Sequence, residues 1–200
     1  RNIIFTPHYR PGMFPISAGI REKVFLDFAQ IAQQRYPDMR FLLGCELHVQ
    51  KGYSDCLSDV RCRMAGTFAV LLEFSTGAEY SEVRDQIIKV TEKGYYPIIA
   101  HAERCTSLRK APENISKLRK LGAMIQVNAD TVLEGRLSPG FRFARTLLDK
   151  NEIDFIASDA HDMQSRPVNM QKAMEAVSRL YGDERVEQIF RVNPENGFGD

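Results

Sequence analysis

The sequence predicts an α/β fold with a parallel sheet, either a barrel or a doubly wound sheet. Three observations carry that prediction. Six short apolar runs recur along the chain, separated by stretches of helical periodicity. Most of these runs are continuously apolar rather than alternating, the pattern of strands buried on both faces. Polar side chains of ligand type then close the runs at their C-terminal ends, where sites are assembled in such folds. At 200 residues the chain fits a single domain, 1–200, with no internal repeat, low-complexity segment or linker.

The elements follow in order. The strand runs are NIIFT (2–6), RFLLGCE (40–46), TFAVLLEF (67–74), YYPIIAH (95–101), AMIQVNA (123–129) and IDFIASD (153–159). The first helix is SAGIREKVFLDFAQIAQQRY, in which Ile20, Val24, Phe28 and Ile31 recur near a period of 3.6 and form the expected core face. SEVRDQIIKVTEKG begins with Ser81 as an N-cap and stops at Gly94. PENISKLRKLGA runs from Pro112 to Gly122, FRFARTLLDKN ends in a polar turn, and NMQKAMEAVSRLYG ends at Gly182. DERVEQIF is a last short helix before a loose tail rich in Asn, Gly and Pro. The least regular stretch, residues 48–66, is expected to form an extra hairpin or a loop beside the site.

Composition narrows the function. Lys and Arg number 27 against 26 Asp and Glu, a net charge of +1, without the basic excess of a nucleic-acid-binding protein. No apolar run approaches the roughly 18 residues of a membrane span. The opening RNIIFTPHYRPG has no signal-peptide h-region. It also lacks Met and enters a strand directly, so further residues upstream are expected. The cysteines, Cys45, Cys56, Cys62 and Cys105, show no C-x-x-C spacing and read as reduced thiols of a cytoplasmic protein. The residues six positions after them are Lys51, Cys62, Phe68 and Ala111, none of them Arg, so a cysteine-dependent phosphatase is excluded.

The strand tips carry the chemistry. His8 follows NIIFTP, Glu46 closes RFLLGC, Glu73 closes FAVLL, His101 closes YPIIA, and Asp159 and His161 close DFIAS. Taken singly, each reads as a polar cap or a solvated turn residue. Their recurrence on five of the six junctions points to an imidazole–carboxylate site for Zn, Mn or Fe. His48 lies in the irregular stretch and reads as a surface residue. Arg104, three residues after His101, and Arg166, five after His161, present rigid donor forks that match phosphate. Arg10 is a weaker third candidate.

TPHYR, GCE, LLEF, GYYPIIAHAER and FIASDAH followed by Arg166 resemble the PHP (polymerase and histidinol phosphatase) superfamily, and within it the bacterial capsule-type protein tyrosine phosphatases. The likeness runs from about Ile3 to Tyr181. It implies a distorted TIM-like barrel of seven βα units with a divalent metal cluster at its C-terminal rim. The metal would be manganese, with iron or zinc as alternatives. The implied reaction is hydrolysis of phosphotyrosine on a protein, a bacterial tyrosine autokinase governing capsular or exopolysaccharide synthesis. The metal-ligand role falls on His8, Glu46, Glu73, His101, Asp159 and His161. The phosphate role falls on Arg104 and Arg166, and the proton for the leaving group would come from His161 or from a metal-bound water. The rival expectations are a histidinol-phosphate phosphatase and a metal-poor relative that binds phosphotyrosine without hydrolysing it. Two departures stand out: Ala102 replaces the Pro of H-P-E-R, and the opening H-x-H strand has no counterpart, so one βα unit is expected to be missing from the barrel.

Overall fold

The computed structural model of the chain describes residues 2–10, 12–14 and 16–198. Its centre is a parallel six-stranded sheet, ordered β2 (His8–Tyr9), β4 (Glu46–His48), β5 (Ala69–Glu73), β6 (Tyr96–Ile99), β7 (Met124–Asn128) and β8 (Phe155–Ala157). A second parallel pair, β1 (Asn2–Phe5) with β3 (Arg40–Leu43), precedes it in both segments. The helices α1 (Ala18–Arg35), α2 (Tyr80–Glu92), α3 (Thr106–Lys110), α4 (Glu113–Lys120), α5 (Ala129–Leu133), α6 (Pro139–Asp149) and α7 (Met170–Tyr181) lie between or after the strands. The sheet is curled and open: among the described residues no ladder joins β2 to β8. The seven-unit barrel of the resemblance, expected here without its first βα unit, is present as a half-barrel.

The continuous apolar runs have the cause inferred for them. Along β5 and β6, alternate residues enter two different clusters. Val70, Leu72 and Ile99 join the large core under the helices, while Ala69, Leu71 and Ile98 join a small cluster on the other face with Met64, Ala100 and Phe155. Period-two alternation is invisible in composition when both faces are buried. The small cluster is closed by Phe198, whose ring lies 5.2 Å from that of Phe155. The tail expected to be loose is consequently ordered. After α8 (Asp183–Glu187) it passes through a wider π-type turn (Gln188–Val192) into α9 (Asn193–Phe198).

Other boundaries moved for identifiable reasons. The run 40–46 is two strands, because the chain steps sideways at Gly44 and Cys45, opposite the step at Thr6 and Pro7. Gly44 N donates to Phe5 O at 2.7 Å and Glu46 N to Pro7 O at 3.2 Å, so pairing continues across the step. Residues 48–66 form no hairpin; they hold three 3₁₀ turns, Tyr53–Cys56, Val60–Cys62 and Met64–Gly66. Helix α2 starts before Ser81, with Glu79 in the N-cap position. Ser138 caps α6 by accepting the amides of Gly140 and Phe141, with Pro139 in the first turn.

The largest difference concerns α1. Its expected core face, Ile20, Val24, Phe28 and Ile31, is between 44% and 70% exposed. The buried positions are Arg21 and Ala32. The helix docks through Phe25 and Phe28 on the ring of Phe5, at 6.2 and 5.0 Å. The other edge of β1 pairs with nothing among the described residues, so no neighbour covers the helix on that side.

Gly44 is the tightest point of the step: a Cβ there would stand 3.1 Å from each of Ile4 Cγ2, Thr6 Cγ2 and Met64 Sδ. Gly44→Val is expected to destabilise the fold by about 1–3 kcal/mol, read as a lower denaturant midpoint. An unchanged midpoint would show that the step is not close-packed.

Candidate functional site

Parallel register sets the site. His8 pairs with Glu46 across β2 and β4, and His48 pairs with Glu73 across β4 and β5. Leu72 pairs with Ile99, which puts His101, two residues on, level with the end of β5. Side chains two residues apart on a strand share a face, so Glu46 and His48 point the same way. The result is a compact cluster at the C-terminal rim. Ligand atoms of His8, Glu46 and Glu73 lie within 4.8 Å of one another. His101 Nε2 is 2.8 Å from Glu46 Oε1 and 3.8 Å from Glu73 Oε1.

A second group adjoins it. Asp159 accepts from Arg104 Nη2 at 2.8 Å, from Asn128 Nδ2 at 2.9 Å and from Arg166. His161 turns its Nδ1 to the Asp159 carbonyl at 2.9 Å, which leaves Nε2 free to bind an ion or carry a proton. The His161 ring stands 5.7 Å from that of His8, linking the groups. Thus His8, Glu46, Glu73 and His101 meet directly. Asp159 and His161 stand beside them with the two arginines, Asp159 directed at guanidinium groups rather than at the imidazole cluster. Arg10 is not gathered in this way. Its carbonyl accepts the amides of Met13 and Phe14, a turn that stacks Phe14 on the His8 ring at 5.7 Å.

Backbone strain helps to aim these groups. His101 (φ 31°) and Asp159 (φ 47°) both lie in the left-handed region, two residues past the ends of β6 and β8. Such positions cost about 1–3 kcal/mol each in a non-glycine residue and concentrate at sites. Burial opposes a charge on His101, but the contact with Glu46 outweighs it and the imidazole pKa is raised. Burial likewise opposes the Asp159 carboxylate. The Arg104 charge, the Asn128 amide and Arg166 overcome it and hold the pKa below the ordinary value.

Three residues escaped the sequence reading. His48 is not a surface residue: it is 5% exposed and its Nδ1 is 2.9 Å from Glu73 Oε2. The signal was its two-residue spacing from Glu46. Asn128 closes the one apolar run whose tip carries no ligand-type side chain. Glu103, buried beside it, receives the Asn128 amide at 3.2 Å and the Thr131 hydroxyl at 3.0 Å, and burial raises its pKa. Glu103, Asn128, Arg104, Asp159 and Arg166 line one side of a cleft of about 380 Å³ opening beside the cluster.

The donor set fits a divalent metal. Carboxylate and imidazole oxygens and nitrogens converge in a half-buried position, with Glu46 and His101 each about 95% removed from solvent. Such a concentration of acids is costly without a cation or protons to share.

A curled parallel sheet that gathers imidazoles, carboxylates and guanidinium groups at one rim makes this an α/β protein with a candidate metal centre. The chain belongs to the capsular polysaccharide synthesis CpsB/CapC family, which it matches over residues 1–198. It is 30% identical to tyrosine-protein phosphatase CpsB of Streptococcus agalactiae serotype III, over 98% of this chain and 83% of that protein. It is 28% identical to tyrosine-protein phosphatase YwqE of Bacillus subtilis, over 92% of this chain and 73% of the relative. Among solved structures, those of YwqE from Bacillus subtilis and CpsB from Streptococcus pneumoniae, described as metal-dependent tyrosine phosphatases, match with a TM-score of 0.87. That match has 23% identity and covers all of this chain and 81% of the other.

The Asp159 carboxylate stabilises the fold above the unfolded carboxyl range, near ~3.9, and that contribution is lost as pH falls through its depressed folded value. Asn128→Ala removes a hydrogen bond to the ionised form. It is expected to raise the Asp159 pKa, followed by carboxyl ¹³C titration of the metal-free protein. A value that does not move would show that the arginines alone hold it.

Proposed function

We infer that this chain is a metal-dependent phosphotyrosine-protein phosphatase. The observation that carries the reading is the pairing of two arginines on Asp159 beside the imidazole–carboxylate cluster. Family membership and the relatives' activity support it. His8, Glu46, Glu73 and His101, joined by Asp159 and His161, would hold the ions. Their mixed nitrogen and oxygen donors suit manganese, with iron or zinc as alternatives. When bound, the ions supply Lewis acidity and make water ionisable near neutral pH.

The chain's own groups do the rest. Arg104 and Arg166 bind the non-bridging phosphoryl oxygens and offset charge as it develops. Asn128 and His48 fix the carboxylates of Asp159 and Glu73 through one hydrogen bond each. With Nδ1 on the Asp159 carbonyl, His161 has one free nitrogen, Nε2: where it binds an ion it adds to the ligand set, and where it does not it holds a proton for the departing tyrosyl oxygen. No cysteine takes part.

The substrate we propose is a protein-borne phosphotyrosine on a bacterial tyrosine autokinase, met in the cytoplasm. The side chains of Arg104, His161 and Arg166 are 42%, 39% and 34% exposed, an open rim that suits a protein segment better than an enclosed metabolite. No described helix is long and apolar enough to cross a membrane.

The test is phosphate release from a phosphotyrosine peptide with manganese, with chelator, and with the Asp159→Ala protein. Manganese-dependent turnover lost in Asp159→Ala is expected, with kcat falling about 10²–10³-fold in Arg104→Ala or Arg166→Ala. Turnover indifferent to chelator, preference for histidinol phosphate, or peptide captured without release would overturn the reading.

A further inference from the structure

A second cluster of ionisable side chains lies behind β4, outside the rim and unused by the reaction. Cys62, in the Val60–Cys62 turn, is 1% exposed; it shares a buried cluster with Cys45, and Cys56 packs against that cluster. Arg21 of α1 directs Nη2 at Cys62 Sγ, 3.4 Å away. This guanidinium is itself 6% exposed. Its Nη1 donates to the Ile16 carbonyl at 3.0 Å, and its plane lies over the Tyr9 ring at 5.2 Å. Its buried Nε finds no acceptor. Among the described residues no carboxylate forms an ion pair with Arg21. Asp59, the acid that senses its charge, is committed to Arg61 through two contacts of 2.9 Å.

An arginine does not shed its proton in a protein, so this buried cation needs an anion. The group in reach that can become one is the Cys62 thiol. Two neighbouring S–H donors and the guanidinium all favour its ionised form. They outweigh burial and lower its pKa, while the same arrangement raises those of Cys45 and Cys56. The partner thiols differ in freedom. Cys45 is pinned in the strand step, where the flanking amides of Gly44 and Glu46 are bonded to the β1–β2 segment. Cys56 is half-buried and sits in a short 3₁₀ turn, its Sγ 3.0 Å from the Tyr53 carbonyl oxygen. It offers both an approach for a small oxidant and the slack to close a bond.

We propose that Cys62 is a peroxide-reactive thiolate, ion-paired to Arg21, that forms a disulfide with Cys56. The Cys62 sulfur attacks one peroxide oxygen. The O–O bond breaks, an S–O bond forms, and hydroxide leaves. The Cys56 sulfur then attacks the sulfenic sulfur: an S–S bond forms, the S–O bond breaks, and water departs with the Cys56 proton. The two sulfurs lose two electrons and peroxide is reduced to water and hydroxide. The product is neutral, so Arg21 loses its counter-charge and α1 loses its principal buried anchor.

The experiment titrates the full chain with hydrogen peroxide under native conditions. Remaining thiols are alkylated after unfolding, and intact mass and peptide mapping follow. Two of the four thiols should be lost together, in a linked Cys56–Cys62 peptide, and recovered with dithiothreitol. Cys62→Ser should abolish the loss, Cys105→Ser should leave it intact, and oxidation should lower the melting temperature. Four alkylatable thiols at a peroxide dose that consumes glutathione would overturn the proposal. So would first loss at Cys105, or a bond to Cys45 in place of Cys56. Mapping on the unmodified chain decides the matter even if Cys62→Ser fails to fold. Thiol counting needs no phosphatase activity, so the two readings fail separately.

Discussion

The parallel register of β2, β4 and β5 is the constraint on which the rest of the structure depends. Because His8 is opposite Glu46 and His48 is opposite Glu73, two polar pairs stand on one face, two residues apart along β4. A slip of a single residue would send Glu46 into the large core and Leu47 to the rim. Leu47, fully buried, makes that slip expensive. Core packing therefore sets the geometry of the polar cluster, and the step at Gly44 keeps β4 in line while its partner strand shifts.

Charge is balanced unevenly across the rim. Glu46 and Glu73 share three imidazoles, so their neutralisation depends on protons or a cation. Asp159 is instead neutralised by guanidinium groups that never lose theirs. The two halves thus differ in what they accept. The carboxylate-rich half has the donors to hold a cation, and the arginine half has two guanidinium groups on a single carboxylate and so positive charge to offer an anion. A phosphate ester with a metal counter-ion satisfies both at once. The left-handed backbone at His101 and Asp159 follows from the same demand, since each side chain must turn across the end of its strand.

Much of this was legible in the chain. Apolar runs identify buried strands, and the residue closing such a run must face either solvent or a site, which is why His8, Glu46, Glu73, His101, Asp159 and His161 stood out. What escaped had physical reasons. His48 belongs to a strand of only three residues, too short to show alternation. Asn128 is a neutral amide whose importance exists only through Asp159, 31 residues away. The apolar stripe of α1 has the spacing of a core face, but periodicity records which residues align, not whether anything covers them. Phe198 orders the tail through one long-range contact with Phe155 that local composition does not encode.

The cysteine cluster bears on the rim through the chain itself. Cys45 is fully buried, touches the Cys62 environment and is covalently joined to Glu46, whose amide is held by Pro7. Close-packed interiors transmit displacement rather than absorbing it. Removing the charge of Cys62 would leave Arg21 uncompensated, and Arg21 packs on Tyr9, the residue after His8. Both segments bordering the thiols thus lead within one residue to His8 or Glu46. The irregular 48–66 stretch, which looks like filler between β4 and β5, is therefore packed against the backbone that positions half of the metal-fitting cluster.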